Sequence, residues 1–270
     1  DVAMTVYNRS PEKAAKWVSG HKGKQAATPK EASAGADFVF ACVGNDNDLR
    51  EIAIGPNGAF QNMKPGAIFV DHTTASADVA RELSAEAKRR GLGFVDAPVS
   101  GGQAGAENGQ LTVMCGGAEA DYAKAEPLIT HYSKMRKLLG PAGSGQTAKM
   151  CNQIAIAGLV QGLAECLSFG MKSGLNMLDV IEVISKGAAG SWQMENRHKT
   201  MIAGKFDFCF AADCIRKDLG IGPVAARKDR PPPPATALCV PCYLSAHPPG
   251  DIPRRTSSRR STSSTTCPRS

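Results

Sequence analysis

Short apolar runs alternate with helix-like segments through the first half of the chain. The runs read MTVYNR, DFVFACVG, AIFVDHTT, GFVDAPVS and LTVMCGG, and they begin at Met4, Asp37, Ala67, Gly93 and Leu111. Most of them are apolar without strict alternation, as in strands that helices cover on both faces. The alternation of strand and helix predicts βαβ units and a parallel sheet.

A helical period separates these strands. The segment 76–90 places Val79, Leu83 and Ala87 on one face and charged side chains on the other, and Gly91 marks its end. We therefore predict an amphipathic helix there.

The pattern becomes wholly helical after the turn GPAGSG at 140–145. Residues 146–172 predict one helix of roughly 40 Å, long enough to join two domains. Its apolar face comprises Ile154, Ile156, Leu159, Val160, Leu163, Leu167 and Phe169. A second helix is predicted at 176–186, and WQMENR at 192–197 is assigned to the same helical domain, with Trp192 either in its core or in a pocket wall.

The amino-acid composition of the chain changes again near Pro223. From Arg227 onward the chain has nine Pro, twelve Ser or Thr, and eight basic against two acidic residues. Such a segment buries too little apolar surface to offset chain entropy, so 223–270 is predicted to be an aberrant or disordered tail. A shifted reading frame in the encoding DNA is one hypothesis for it. The isolated CVPC at Cys239 to Cys242 has no second ligand pair, and no metal site is predicted.

Charge and composition narrow the function classes. The 270 residues are 42% hydrophobic and 21% charged, which is typical of a globular protein. The net charge of +7 lies mostly in the tail, so the body is near neutral, which argues against nucleic-acid binding. The sequence has no uninterrupted apolar run of about 18 residues, which argues against a membrane span. Nine scattered cysteines and the lack of a signal-peptide pattern indicate a reduced, cytoplasmic protein.

A glycine-rich run follows one predicted strand. In FVDAPVSGGQAGAENGQL, Ser100 precedes Gly101 and Gly102 at the carboxyl end of the strand, where α/β sheets bind ligands. A hydroxyl followed by two unhindered amides can bind a carboxylate. The alternative is a glycine-rich surface loop without a ligand.

Polar residues share one face of the long predicted helix. Lys149, Asn152, Gln153 and Ile156 fall at i, i+3, i+4 and i+7 within GSGQTAKMCNQ. If they are buried, these polar groups need partners. The alternative is an amphipathic helix whose lysine reaches solvent.

Several ordered motifs resemble the β-hydroxyacid dehydrogenase family, specifically its 3-hydroxyisobutyrate dehydrogenase-like group, which is related to 6-phosphogluconate dehydrogenase. They are VYNRSPEKA, DHTT, DAPVSGGQAGAENGQL, GPAGSGQTAKMCNQ, AECLSFGMKSGL and RKDLGI, and together they span about residues 1–221. The resemblance implies an α/β fold in which a Rossmann-type parallel-sheet domain, truncated at its N-terminus, precedes an all-helical domain. We assign 1–142 to the dinucleotide-binding domain and 143–222 to the helical substrate and oligomerisation domain.

The resemblance also implies an NAD(P)-dependent oxidoreductase that acts on a small 3-hydroxy acid or its semialdehyde. Lys149 would be the general acid or base, with its pKa lowered by desolvation in an apolar cleft, and Asn152 would orient the substrate. Ser100, Gly101 and Gly102 would hold the substrate carboxylate. Serine-like hydroxy acids, other semialdehydes and glyoxylate remain open as substrates.

The same resemblance implies cofactor contacts. Asn8 and Arg9 end a predicted strand, where an acidic residue would bind the ribose of NAD and an arginine can bind a 2′-phosphate, so NADP is favoured over NAD. The family pattern adds Val43, Gly44 and Thr74. Lys217 is expected near the nicotinamide and Asp218 beside it.

One departure from the family concerns the start of the chain. The family's first strand and its G-x-G-x-x-G loop, which binds pyrophosphate, are lacking in this sequence. We expect a truncated sequence whose sheet has an unpaired position at its centre. The alternative to an enzyme is a non-catalytic remnant that oligomerises through the helical domain; a homo-oligomer is expected in either case.

Overall fold

A computed structural model describes residues 3–205 and 217–218. The chain divides into two compact units, and the boundary lies between Lys149 and Met150. Unit 1 is residues 1–149 and unit 2 is residues 150–270. The sequence segment 223–270, including CVPC, lies outside the described residues, as do Arg216 and 219–222.

Unit 1 is a mixed α/β structure. Its strands are β1 Thr5–Val6, β2 Lys24–Gln25, β3 Phe38–Ala41, β4 Ile68–Asp71, β5 Gly93–Asp96, β6 Val99–Ser100, β7 Leu111–Gly117 and β8 Ser133–Leu138. Its helices are α1 Pro11–Gly20, α2 Pro29–Ala32, α3 Asp46–Ile54, α4 Ala77–Arg89, α5 Gly102–Glu107 and α6 Glu119–Thr130, with a 3₁₀ turn at Ala59–Gln61. The predicted helix at 76–90 is α4, and Ser76 caps it by accepting a hydrogen bond from the Val79 amide.

Two sheets make up unit 1. β1 and β2 pair in parallel in a sheet of their own, whereas the larger sheet has the order β3-β4-β5-β7-β6, with β8 also paired to β7. β3, β4 and β5 are parallel. Within residues 3–205 and 217–218, no strand pairs with the other edge of β3. β1 and β3 are thus not joined in one sheet.

Helices cover the larger sheet on both faces because successive side chains of its strands point to opposite sides. On one face Phe69 and Phe94 pack against α3 and α4. On the other face Ile68, Val70 and Val95 pack against α6. This burial on both sides explains why the strands are apolar at nearly every position.

The larger sheet is not wholly parallel. β7 is antiparallel to both β5 and β6, with Asp96 opposite Gly116 and Ser100 opposite Thr112. The predicted parallel sheet is confirmed for β3, β4 and β5, whereas β7 is antiparallel to its neighbours β5 and β6. The connection 101–110 between β6 and β7 is shorter than the dozen or so residues that a parallel crossover requires.

Unit 2 is helical in the part that the structure describes. α7 Ser144–Lys172 begins in unit 1 and continues into unit 2, followed by α8 Met177–Ile184 and α9 Trp192–Ile202. Leu163, Ala164 and Leu167 of α7 form a core with apolar residues of α8 and α9. This core confirms the predicted helical domain within residues 150–205.

Some apolar residues expected inside unit 2 are on its surface. Leu159 is 46% exposed and Phe169 is 74% exposed, so the predicted apolar face of α7 is broader than the face that is buried. Trp192 is 57% exposed, with the Arg197 guanidinium 5.4 Å from its ring centre, so it is not a core residue.

α7 has the length and composition of a membrane-spanning helix, with a mean hydropathy of 1.6 in its most apolar window. The core helix of a soluble protein meets the same criteria. α7 contributes Leu163, Ala164 and Leu167 to the core of unit 2. We therefore interpret α7 as a core helix.

Candidate functional site

The carboxyl ends of three parallel strands form one edge of unit 1. Ala41, Asp71 and Asp96 are aligned in register at the ends of β3, β4 and β5. The predicted site residues Val43, Gly44, Thr74 and Ser100 follow these ends directly in the sequence. Ligands of α/β sheets bind at such an edge, so the fold brings these segments to a suitable place.

The glycine-rich run forms a strand end and a short helix. Ser100 ends β6, and its carbonyl accepts a hydrogen bond from Thr112 Oγ1 at 3.3 Å. Gly101 and Gly102 have φ of +137° and +63°, a region that favours glycine. A Cβ at Gly101 would lie 3.0 Å from the Leu111 side chain. Glycine is therefore required for the backbone to turn here and to keep both residues exposed beside Ser100.

Lys149 lies beside this segment. Its side chain is buried, with 6% of the residue exposed, and its Nζ donates a hydrogen bond to the Val99 carbonyl at 2.9 Å. The alternative of a lysine that reaches solvent is thus not what the structure shows. The ammonium group is placed next to the residue that precedes Ser100.

The polar residues of unit 2 form a separate hydrogen-bonded chain. Asn152 Nδ2 donates to Gln153 Oε1 at 2.8 Å, and Gln153 Nε2 donates to Asp218 Oδ2 at 2.6 Å. Lys217 Nζ lies 3.3 Å from Asp218 Oδ1. Gln153 and Asp218 are each 2% exposed. The structure therefore connects two predicted residues, Asn152 and Lys217, through Gln153, whose role the sequence left open.

Two buried carboxyl groups were missed as functional candidates. Asp71 and Asp96 are both fully buried at the ends of β4 and β5. Desolvation raises the pKa of Asp71 to about 7 and that of Asp96 to about 6, against the opposing effect of hydrogen bonds from backbone amides. The sequence signal was an acidic residue at the end of a wholly apolar run, IFVD and GFVD.

A histidine between these segments was also missed. His72 Nδ1 is 2.6 Å from the Ala97 carbonyl, so Nδ1 carries the proton, and Nε2 accepts from the Tyr132 hydroxyl at 2.9 Å. Burial lowers the pKa of His72 and raises that of Tyr132. The neutral pair links β4 to the segment that leads to Ser100.

The predicted cofactor residues of unit 1 fall into two groups. Asn8 borders a cavity of about 350 Å³ with Pro11, Gln25, Ala26 and Ala27, at the ends of β1 and β2. Arg9 forms an ion pair with Asp48 at 3.2 Å, and its side chain is 85% exposed. Asp48 adjoins Gly44, where an added Cβ would lie 2.7 Å from Asp48 Oδ2.

The second group follows β3 and β4. The Val43 amide donates to Thr73 Oγ1 at 3.0 Å, which fixes this segment beside the half-buried Thr74. Residues 3–205 and 217–218 contain no cluster of three or more His, Cys, Asp or Glu that could hold a metal ion.

Family models match the chain over most of its length. Residues 1–143 match the NAD binding domain of 6-phosphogluconate dehydrogenase. Residues 143–254 match the NAD-binding region of NADP-dependent 3-hydroxyisobutyrate dehydrogenase. The two models meet at residue 143, and the two compact units divide a few residues later, inside α7.

Curated proteins and solved structures agree with these models. The chain is 58% identical over 235 residues to an uncharacterized oxidoreductase of Shewanella frigidimarina (strain NCIMB 400), covering 87% of this chain and 81% of that protein. It is 39% identical to the probable 3-hydroxyisobutyrate dehydrogenase-like 2, mitochondrial, of Arabidopsis thaliana, covering 83% and 74%. A structure of the Mycobacterium tuberculosis 3-hydroxyisobutyrate dehydrogenase with L-serine has a TM-score of 0.80 and 26% identity, covering 93% and 87%.

Proposed function

Because the chain belongs to the β-hydroxyacid dehydrogenase family, whose members use NAD or NADP, we propose that it interconverts a small 3-hydroxy acid and its semialdehyde. The observation that carries this proposal is the hydrogen bond from the buried Lys149 to Val99, directly before Ser100 and the exposed glycines. An amine that can exchange a proton thus lies at the segment suited to a carboxylate.

Each residue of the proposed site has a separate role in the reaction. When bound, the nicotinamide supplies or accepts the hydride. Lys149 removes the hydroxyl proton during oxidation and returns it during reduction, as a general base and acid must. Ser100, Gly101 and Gly102 bind the substrate carboxylate through the hydroxyl and backbone amides. Asn152, one helical turn after Lys149, orients the reacting oxygen.

We place the adenosine end of the dinucleotide beside Asn8 and Arg9 of unit 1. The cavity beside Asn8 is about 350 Å³, within the usual range of roughly 300–1,000 Å³ for ligand pockets. Arg9 is exposed next to it and can bind a 2′-phosphate. Val43, Gly44 and Thr74 would follow the cofactor along the strand ends, and Lys217 of unit 2 would contact its nicotinamide end.

The substrate class follows from the carboxylate-binding segment and from the relatives. The M. tuberculosis structure contains L-serine, which is a 3-hydroxy acid of the proposed size. We therefore place 3-hydroxyisobutyrate and L-serine first among candidate substrates.

We also propose a cytoplasmic homo-oligomer. Several large apolar side chains of unit 2 are exposed, including Phe169 and Val183, at 74% and 73%. Exposed apolar surface of this kind often marks a protein interface. The four cysteines in the described part of the chain are free thiols, as in a reducing compartment.

The test compares Lys149→Ala with Lys172→Ala, an exposed lysine near the end of the same helix. Oxidation of 3-hydroxyisobutyrate and L-serine is followed by nucleotide absorbance with NAD and NADP in turn. We expect Lys149→Ala to lower kcat by about 10²–10⁴-fold with little change in nucleotide affinity, and Lys172→Ala to match the wild type. Comparable kcat values for both variants would contradict the role of Lys149.

The alternative, a non-catalytic remnant, is not favoured because Lys149, Asn152 and Lys217 all occur in hydrogen-bonded or ion-paired positions. Titration of Trp fluorescence with NAD and NADP separates the two hypotheses. A chain that binds neither nucleotide but self-associates would support the remnant.

A further inference from the structure

A buried carboxylate holds the start of the helix that carries Lys149. Asp96 Oδ1 accepts a hydrogen bond from the Gly143 amide at 2.8 Å, and Asp96 Oδ2 accepts one from the Gln146 amide at 2.9 Å. These amides belong to the turn before α7 and to its first turn, where backbone donors lack partners within the helix. One side chain therefore satisfies two donors from a different element.

The space around this carboxylate is closed by glycines. A Cβ at Gly116 would lie 2.7 Å from Asp96 Oδ1, and one at Gly145 would lie 2.8 Å from Asp96 Oδ2 and 2.6 Å from the Asp96 carbonyl. β7 and α7 therefore approach the end of β5 more closely than any other residue type would allow. The position of the first turn of α7 is fixed to the end of β5.

Gln146 adds a second connection to the sheet. Its Oε1 accepts from the Ala75 amide at 3.0 Å, and its Nε2 donates to the Thr73 carbonyl at 2.7 Å. Gln146 is fully buried. The Gln146 backbone is hydrogen-bonded to Asp96, and its side chain is hydrogen-bonded to the residues after β4. Both connections hold the first turn of α7 at the edge of the larger sheet.

The start of β6 holds α7 again, one helical turn later. Val99 is three residues after Asp96, and Lys149 is three residues after Gln146. The Val99 carbonyl accepts the hydrogen bond from Lys149 Nζ. The short segment from Asp96, at the end of β5, to Val99, at the start of β6, thus sets where the lysine amine lies relative to Ser100.

We propose that Asp96 is a positioning residue whose carboxylate fixes the first turn of α7 and thereby holds Lys149 Nζ at the segment Val99–Gly102. The catalytic consequence rests on the function proposed above; the positioning itself does not. An anion at a helix N-terminus is favoured by the helix dipole and by charge-assisted hydrogen bonds. Protonation of Asp96 would replace an acceptor oxygen with a donor and weaken this hold.

The titratable groups around Asp96 come from three elements. Asp71 on β4 and Cys115 on β7 interact electrostatically with it, and Lys149 lies further along α7. Asp71 gives a matched comparison because it is equally buried and ends the neighbouring strand, but its Oδ1 bonds to Thr73 rather than to α7.

The experiment compares Asp96→Asn with Asp71→Asn in the full chain. An asparagine retains one acceptor, so its amide nitrogen must face the Gly143 or Gln146 N–H and that hydrogen bond is lost. The modification rate of Lys149 by acetic anhydride is measured by mass spectrometry against Lys172 in the same molecule. We expect it to rise several-fold in Asp96→Asn and to stay at the wild-type rate in Asp71→Asn.

Kinetics gives the second measurement. Misplacement of a catalytic group by about 1 Å can cost roughly 10²-fold in rate, so Asp96→Asn should lower kcat by about 10–100-fold while nucleotide affinity is retained. If the wild type is inactive on every hydroxy acid tried, the proposed function fails, yet the labelling result still tests the positioning. An unchanged Lys149 labelling rate in folded Asp96→Asn would overturn the inference.

The wild-type protein supplies a test that does not depend on the stability of a variant. In ¹⁵N-labelled protein, the Gly143 and Gln146 amide signals should shift together between pH 5 and pH 8, because both protons bond to one carboxylate. The Val79 amide, which bonds to the Ser76 hydroxyl, serves as the control and should not follow them. Titration of the two amides with different midpoints would refute the shared hold.

Discussion

Two buried aspartates at the sheet edge differ in how many of their carboxylate oxygens are hydrogen-bonded. Asp96 is bonded through both oxygens to the turn and first helical turn of α7. Asp71 Oδ1 accepts from the Thr73 amide, whereas its Oδ2 is buried without a hydrogen-bond partner. A buried carboxylate oxygen without a partner carries a desolvation cost. The charged form of Asp71 therefore lowers the stability of unit 1.

This difference predicts the pH dependence of Asp71→Asn. The native pKa of Asp71 is raised to about 7, above the unfolded value near 4. Between these values the native state holds the extra proton, so stability falls as pH rises. Asparagine does not titrate, so the variant lacks this loss. Relative to the wild type, its free energy of unfolding should rise by roughly 1–3 kcal/mol as the pH is raised from 5 to 8. Thermal unfolding at both pH values measures it.

The control is Asp37→Asn, because the Asp37 carboxylate is 76% exposed beside Lys64. Its effect on the melting temperature should be the same at pH 5 and pH 8. If Asp71→Asn also shifted the melting temperature equally at both pH values, the raised pKa of Asp71 would be wrong.

The ion pair of Arg9 and Asp48 bears on the choice between NAD and NADP. Their exposed ion pair is worth little by itself, so a 2′-phosphate can displace Asp48 from the guanidinium. Arg9→Ala should weaken NADP binding about tenfold, as expected for loss of one charged hydrogen bond, and leave NAD binding nearly unchanged. Fluorescence titration with each nucleotide measures both affinities.

Lys13→Ala is the matched control, since Lys13 is an exposed cation on the nearby α1 that borders no predicted cofactor contact. An equal loss of NAD and NADP affinity in Arg9→Ala would show that Arg9 does not read the 2′-phosphate.

At the scale of single elements, α4 depends on a cap that links two helices. Ser76 Oγ accepts from the Val79 amide at 3.0 Å and donates to Asp46 Oδ2 at 2.5 Å, at the start of α3. Removal of an N-cap hydroxyl costs about 0.5–2 kcal/mol. Ser76→Ala should lose at least this much, because Asp46 also loses its donor, and Ser76→Thr should restore most of it in chemical unfolding.

Ser19→Ala provides the comparison, since the exposed Ser19 hydroxyl donates only to the Lys16 carbonyl near the end of α1. It should change the free energy of unfolding by less than about 0.5 kcal/mol. If the Ser76→Ala and Ser19→Ala variants changed the free energy of unfolding equally, Ser76 would not be a cap that links α3 and α4.

The elements differ in how far the sequence could predict them. β4 and β5 are apolar at each interior position because both faces are buried, so IFVD and GFVD identified them. β8, SKMRKL, is an edge strand with exposed Lys134 and Met135, and its polar pattern gave no strand signal. The antiparallel direction of β7 depends on pairing with β5 and β6, which a local pattern does not contain.

Residues of the candidate site likewise differ in how far the sequence predicts them. Lys149 and Ser100 were predicted as site residues from spacing and family resemblance, and the structure adds that Lys149 Nζ donates to the carbonyl of Val99, the residue before Ser100. Asp96 was inside a quoted motif yet received no role, because its partners, Gly143 and Gln146, are distant in the sequence. Contacts between residues far apart in the chain are what the sequence could not supply.

At the scale of the whole molecule, exposed apolar side chains predict self-association. In unit 2 they are Leu159, Phe169, Met171, Leu175, Leu178, Val183 and Trp192, each at least 41% exposed. A monomer would leave this surface in water. We expect the wild-type protein to elute as a dimer or larger assembly, with a mass measured by light scattering.

A charge placed on that surface should shift the equilibrium toward the monomer, because burial of an unpaired carboxylate in an apolar interface is unfavourable. Phe169→Asp is the test, and Met135→Asp is its control, since Met135 is 54% exposed but lies on β8 of unit 1. Only the Phe169 variant should dissociate on dilution. A wild type that is monomeric at high concentration, or equal dissociation of both variants, would show that the exposed surface of unit 2 is not the interface.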